Sequence, residues 1–385
     1  MPHYSLKNIV LYFLQLGYSG FGGPVALVGY MHRDLVEKKK WISEEEYKTG
    51  LALAQLAPGP LAAQLGIYLG FVHYGIVGAT LCGIAFVLPS FLMVVVLGYC
   101  YVEYSHLVWM QTVFYGVGAG VIGIITVSSY KLTVKSVGLL TVSSFKKNAL
   151  LWFFYGLSII FTILTQREEI LFFVLSGFAY MLYKFPPKWS NKLLKHSPLL
   201  VSSTWLLPIE NSRIVDIILF FAKAGAFVFG SGLAIVPFLH EGVVVQKNWL
   251  NEVQFLDAVA VAMITPGPVV ITVGFIGYLV EGFWGATAAA FATFLPCYLL
   301  TILPAPYFKK ISSNLSIKAF VEGITAAVVG ALVGSVVVIA TRSIVDTPTA
   351  LIALLSGTSL LYIKKMQEPY IIILAGLAGV VFKLL

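Results

Sequence analysis

Leu56-Ala57-Pro58-Gly59-Pro60-Leu61 and Ile264-Thr265-Pro266-Gly267-Pro268-Val269 are the two stretches that decide the fold. Each sits inside an apolar run. Proline removes a helix hydrogen bond and glycine is the weakest ordinary helix former, so a Pro-Gly-Pro tripeptide breaks a helix there. The flanking pieces, 49–57 with 61–72 and 257–265 with 269–281, are each too short to span a bilayer, which takes about 20 residues. Each pair reads as a re-entrant helical hairpin with the tripeptide at its tip. Non-helical backbone at that depth survives only when buried in protein or lining a wet cavity.

The two tripeptides stand 208 residues apart, and much else recurs at that offset. Phe21-Gly22 pairs with Phe229-Gly230, His32 with His240, Trp41 with Trp249, and Glu44 with Glu252. One deletion later the offset is 207. Gly70, Gly78, Pro89, Gly116 and Gly123 then pair with Gly277, Gly285, Pro296, Gly323 and Gly330. A duplication divides the chain into repeats at 1–185 and 213–385, joined by a polar linker at 186–212.

Composition places both repeats in lipid. Apolar residues make up 59% of the 385 and charged residues 11%, too few to cover a soluble surface. Further apolar runs cover 75–100, 107–130, 149–165, 169–185, 214–240, 283–308, 319–341, 346–362 and 369–385. Residues 6–31 form another span, broken at Gly20–Pro24. The expected fold is all-α, a polytopic integral membrane protein. The net charge of +8 belongs to loops between apolar runs and speaks for topology, not nucleic acid. Cys82, Cys100 and Cys297 have neither disulfide nor metal spacing, and no cofactor is implied. The opening residues lead into an apolar run without a cleavage pattern, so no signal peptide is expected.

Loop charge orients the repeats. Loop 32–48 carries Arg33, Lys38, Lys39, Lys40 and Lys48, while its counterpart 240–256 carries Lys247. The bias then reverses: 101–106 has no Lys or Arg, against Lys309, Lys310 and Lys318 in 309–318. Corresponding loops fall on opposite faces, as in an inverted-topology repeat with re-entrant or broken helices. Each half then crosses an odd number of times, with five spans and one hairpin expected. Ser43 and Glu46 form a capping box that starts a helix at Glu44. Trp41 and Trp249 read as interfacial anchors.

Interrupted helices expose backbone N–H groups that, with the helix dipole, attract an anion. The expected substrate site therefore gathers Phe21, Gly22 and Gly23 of the first break, Gly230 and Ser231 of its counterpart, Pro58, Gly59 and Pro60, and Pro266, Gly267 and Pro268. Gln55, Gln64 and Thr265 add neutral polar groups, with Ser19 and Thr272 nearby. Lys223, in an apolar run, adds a positive charge. The bland alternatives are that glycine and proline permit kinks and close packing, and that Lys223 snorkels. His32, His240, Glu281 and Glu322 are candidates for proton coupling, with packing or ion pairing as the alternative. No nucleophile, P-loop or metal motif is present, so the chain is expected not to be an enzyme and to draw on the membrane potential or an ion gradient.

Phe21-Gly22-Gly23-Pro24, Val36, Trp41, Pro58-Gly59-Pro60, Gly70 and Gly78, with their diverged second copy, resemble the signature of the chromate ion transporter family in its long two-domain form. The resemblance implies chromate efflux, chromate resistance and a plasma (inner) membrane location, with sulfate as a related oxyanion. Physical reasoning alone reaches a small oxyanion. A sulfate or other anion permease, a membrane-embedded enzyme acting on lipid-linked phosphates, and a homodimeric assembly stay open.

Overall fold

The computed structural model describes residues 4–21, 23–166, 170–186, 212–227, 232–308, 314–363 and 366–384. Gly22, Gly230, Ser231 and most of the linker lie outside them. The regular elements described are all helical.

The first repeat opens with α1 (Leu6–Ser19) and α2 (Gly23–Met31), separated by the expected break. A π-helical stretch, His32–Lys38, follows. Helix α3 (Glu44–Leu56) starts where the capping box puts it: Ser43 accepts from the Glu46 N–H, and the Glu46 carboxylate accepts from the Ser43 N–H. After the tripeptide comes α4 (Leu61–Tyr104), which is two arms divided at Gly75, where φ is 57° and ψ −148°. Residues eight apart in one straight helix lie about 12 Å apart along its axis. Here a Cβ on Gly70 would stand 2.4 Å from the Gly78 carbonyl oxygen, so the chain reverses. A Cβ on Gly50 would likewise stand 2.3 Å from the Tyr68 ring, which lays α3 beside the first arm. Residues 44–74 thus form a helical hairpin with Pro58-Gly59-Pro60 at its tip. Helices α5 (Val108–Ser136), α6 (Val142–Lys147), α7 (Ala149–Thr165) and α8 (Ile170–Lys184) complete the repeat.

The second repeat follows the same course through α9 (Arg213–Phe227), α10 (Val236–His240), α11 (Glu252–Ile264) and α12 (Thr272–Ile302). Asn251 and Gln254 build the matching capping box. The chain reverses at Gly282, with φ 58° and ψ −148°, within a degree of its counterpart. Then come α13 (Leu315–Ser343), α14 (Thr347–Tyr362) and α15 (Glu368–Leu384). Four described helical segments are long and apolar enough to cross a membrane: 61–104, 108–136, 269–307 and 315–343. Segments 149–165, 170–184 and 347–362 are apolar but shorter.

The halves exchange their ends. Helix α5 packs on α14 and α15 of the other half, and α13 packs on α7 and α8. Glycine permits these approaches. A Cβ on Gly116 would meet the Ala375 carbonyl at 2.0 Å, and one on Gly123 the Ala353 carbonyl at 2.3 Å. Their equivalents Gly323 and Gly330 face Ser176 and Tyr155 backbone across the reciprocal joint. Small residues let helices close in where lipid offers no hydrophobic drive, and dispersion supplies the adhesion.

Candidate functional site

The helix breaks meet across the two repeats. The Gly267 N–H donates to the Gly20 carbonyl at 2.9 Å, tying the second tip to the end of α1. Ser90, one residue past the proline inside α4, donates to the Pro266 carbonyl at 2.6 Å. Across the molecule, a Cβ on Gly59 would stand 3.1 Å from Sγ of Cys297, the residue equivalent to Ser90. Each tip therefore docks on the proline-containing helix of the opposite half. At Gly267 the fit is tightest: φ is +97°, and a Cβ would lie 2.0 Å from the Ser90 hydroxyl.

A small cavity opens at this joint. Its walls come from Gly20, Phe21, Gly23 and Pro24 on one side and Met263, Thr265, Gly267 and Val269 on the other, with Glu368 and Pro369 of α15 closing it. Two helical segments begin here, α2 at Gly23 and the 3-10 turn Val269–Ile271 that leads into α12. Leading N–H groups of a helix have no partner within it and carry its positive dipole end.

Of the residues expected at the site, Phe21, Gly23, Thr265 and Gly267 come together here. Three other expected groups are placed differently. The Gly267 amide is taken up by Gly20, so it is a structural tie and not a bare donor. The Gly59 tip is buried against Cys297, Pro58 and Pro60 flank it there, and none of the three lines the cavity. Lys223 is exposed, with Nζ 5.9 Å from the Phe238 ring centre, and does not line it either.

Other polar candidates have local partners. Buried Gln64 donates from Nε2 to the Pro58 carbonyl at 2.8 Å, bracing the first tip from inside. Gln55 is exposed. Hydroxyls of Thr265, Thr272 and Ser19 bond back to Ala262, Val269 and Gln15 carbonyls, as serine and threonine often do in helices. Pro266 takes the Ser90 hydroxyl, and Pro268 leads into the 3-10 turn. Glu281 lies 3.9 Å from Arg213, and Glu322 lies 2.9 Å from Lys184, so both carboxylates sit in ion pairs outside the cavity.

His32 and His240 each meet a carboxylate twelve residues on. His32 Nε2 stands 2.9 Å from Glu44, and His240 Nε2 stands 2.6 Å from Glu252. Each pair fastens the end of the first helical segment to the start of the hairpin. The second copy is more enclosed: His240 is 4% exposed, and Arg342 reaches Glu252 at 2.5 Å. Trp41 stacks on Tyr4 and takes Lys39 over its ring, as Trp249 takes Lys247.

Sequence reading missed Glu368 and Asp257. Glu368 opens α15 just after a polar turn, where an acid reads as an ordinary cap. Asp257 sits in the apolar run of α11, and the rule that drew notice to Lys223 would have found it.

A family model for chromate transporters matches residues 7–187 and 215–380. The chain belongs to the chromate transporter family. Family membership makes it a membrane transporter and not an enzyme. The chain is 59% identical over 384 residues to the chromate transport protein of Cupriavidus metallidurans, covering 99% of this chain and 94% of that protein. It is 57% identical to the probable chromate transport protein of Synechococcus elongatus, covering 99% and 96%. The chromate transport protein of Pseudomonas aeruginosa is 26% identical over 401 residues, covering 98% and 92%. No solved structure matches.

Proposed function

We propose that this chain carries chromate out of the cytoplasm across the plasma membrane, and that the dianion binds in the cavity between the first helix break and the second tip. The hydrogen bond from Gly267 to the Gly20 carbonyl carries the reading, because it brings two interrupted helices from different repeats to one point. The leading amides of α2 and of the Val269–Ile271 turn then supply donors without a lysine or arginine in the wall. Reciprocal docking of each tip on the proline-containing helix of the other half, together with the opposite loop charges, supports oppositely oriented repeats. The relatives named above are chromate transport proteins, which favours chromate over other tetrahedral dianions.

The repeats are placed at 1–185 and 213–385, with transport driven by the membrane potential or an ion gradient. The test is uptake of labelled chromate into liposomes holding the purified protein, with and without excess sulfate. Flux resisting sulfate supports a chromate carrier. Flux abolished by sulfate makes it a general oxyanion permease, and no flux above empty liposomes refutes the reading. Labelling of single cysteines at Lys39 and Lys247 from opposite sides of the membrane tests the inversion.

A further inference from the structure

Asp257 is buried in the second hairpin, 2% exposed, where a carboxylate costs most. Its Oδ2 accepts a 2.6 Å hydrogen bond from the Tyr101 hydroxyl of the other repeat. Its Oδ1 has no hydrogen-bond partner among the described residues. No described cation comes within ion-pair distance of either oxygen. Around the pair the walls are aromatic: the Phe114 and Phe275 rings lie 5.3 and 5.6 Å from that of Tyr101.

Packing does not need this polarity. The residues equivalent to Asp257 and Tyr101 are Thr49 and Phe308. The Thr49 hydroxyl bonds its own helix at Glu45, and Phe308 is 1% exposed within the first repeat's apolar cluster. One copy is therefore closed by a phenyl ring, while the other holds an acid and a phenol.

We infer that Asp257 is the proton-carrying group of the transporter: neutral in the packed state seen here, it loses its proton to water when the second hairpin separates from α4. The neutral form needs no counter-charge and keeps the Tyr101 bond. The ionised form needs water or a cation, which this joint denies it. Tyr101 spans the two repeats, so its bond to Asp257 is made or broken as they move.

Position suits the task. Asp257 lies eight residues, about 12 Å of helix, from the Thr265 wall of the cavity. It can thus follow the conformation of the tip without touching the substrate. Several other titratable groups on the elements around it have partners or surroundings of their own. Glu252 on α11 is held by His240 and Arg342 of α13. On α5, Tyr115 donates to Asp346, and Lys383 of α15 lies over the Tyr115 ring. Glu368 of α15 lines the cavity beyond Met263, and Tyr278 of α12 packs against Gly98.

This inference rests on the chromate reading above, and one preparation tests both. Purified full-length protein in liposomes is assayed for chromate/chromate exchange at equal pH and for chromate accumulation driven by a pH gradient, with a trapped pH dye reporting proton movement. Asp257→Asn is expected to keep exchange near wild type while losing gradient-driven accumulation and the dye signal. Asp257→Glu should restore part of both, and Tyr101→Phe should shift the pH midpoint of accumulation. Accumulation at wild-type level in Asp257→Asn overturns the inference. So does loss of exchange in an Asp257→Asn protein that elutes and melts like wild type, which would place the residue in binding. Absent chromate flux in the wild type would instead overturn the functional reading.

Discussion

Gly267→Ala tests the central joint with one methyl group. The backbone there has φ +97°, which an alanine adopts at a cost of about 1–3 kcal/mol. The new Cβ would lie 2.0 Å from the Ser90 hydroxyl and 3.2 Å from the Gly17 carbonyl oxygen. To escape, either the tip withdraws or Ser90 turns away. The first course breaks the bond from Gly267 to Gly20, the second the bond from Ser90 to Pro266, at about 1 kcal/mol net for each buried bond. The sum is roughly 2–4 kcal/mol. Melting of the purified protein in detergent should fall by several degrees, and chromate uptake by tenfold or more, since about 1.4 kcal/mol suffices for that factor. Adding Ser90→Gly should relieve the overlap without restoring stability, because it gives up the Ser90 bond to Pro266 and leaves the backbone cost in place. Gly59→Ala provides the comparison. Its Cβ would meet the Gln64 amide at 2.7 Å, a lesser overlap than the 2.0 Å at Gly267, so the loss should be smaller, with the Gln64 bond to Pro58 as the contact at risk. A Gly267→Ala protein with wild-type melting and uptake would refute the account of the joint.

Glu368→Gln should tighten chromate binding by about tenfold, because removing a negative charge from the cavity wall relieves roughly 1–2 kcal/mol of repulsion; competition binding with unlabelled chromate measures it. Lys223→Ala should leave uptake close to wild type, since the ammonium is exposed over Phe238, and a large loss would put it in the substrate's path. Glu252→Gln should cost about 1–3 kcal/mol by stranding His240 and Arg342, and Glu44→Gln markedly less at its exposed site, read as melting temperatures. Gly116→Ala should destabilise by about 1–3 kcal/mol, because the methyl would press on Ala375 and Gly379 backbone.

Local chemistry in the chain settled a good deal. The proline-glycine-proline tips, the capping box at Ser43 and Glu46, and the break after Ser19 depend on dihedrals and hydrogen bonds within a few residues, and the structure has each in place. Paired glycines 207 residues apart, Gly75 and Gly282, reverse the chain with nearly the same dihedrals, at backbone positions where a side chain is strained. Site membership was legible only in part. Whether an amide is free depends on what the fold brings opposite it, and no local pattern says that the Gly20 carbonyl will accept the Gly267 N–H. The exposure of Lys223 was illegible for the same reason: an apolar run does not reveal which helix face meets another helix. Exchange of α7–α8 and α14–α15 between the halves joins residues about 150 to 260 positions apart, as at Gly330 with Tyr155 and Gly116 with Ala375. Sequence alone determined where the backbone must bend. Tertiary structure decided which bends meet, because an interrupted helix gains a partner only once the other repeat has packed against it.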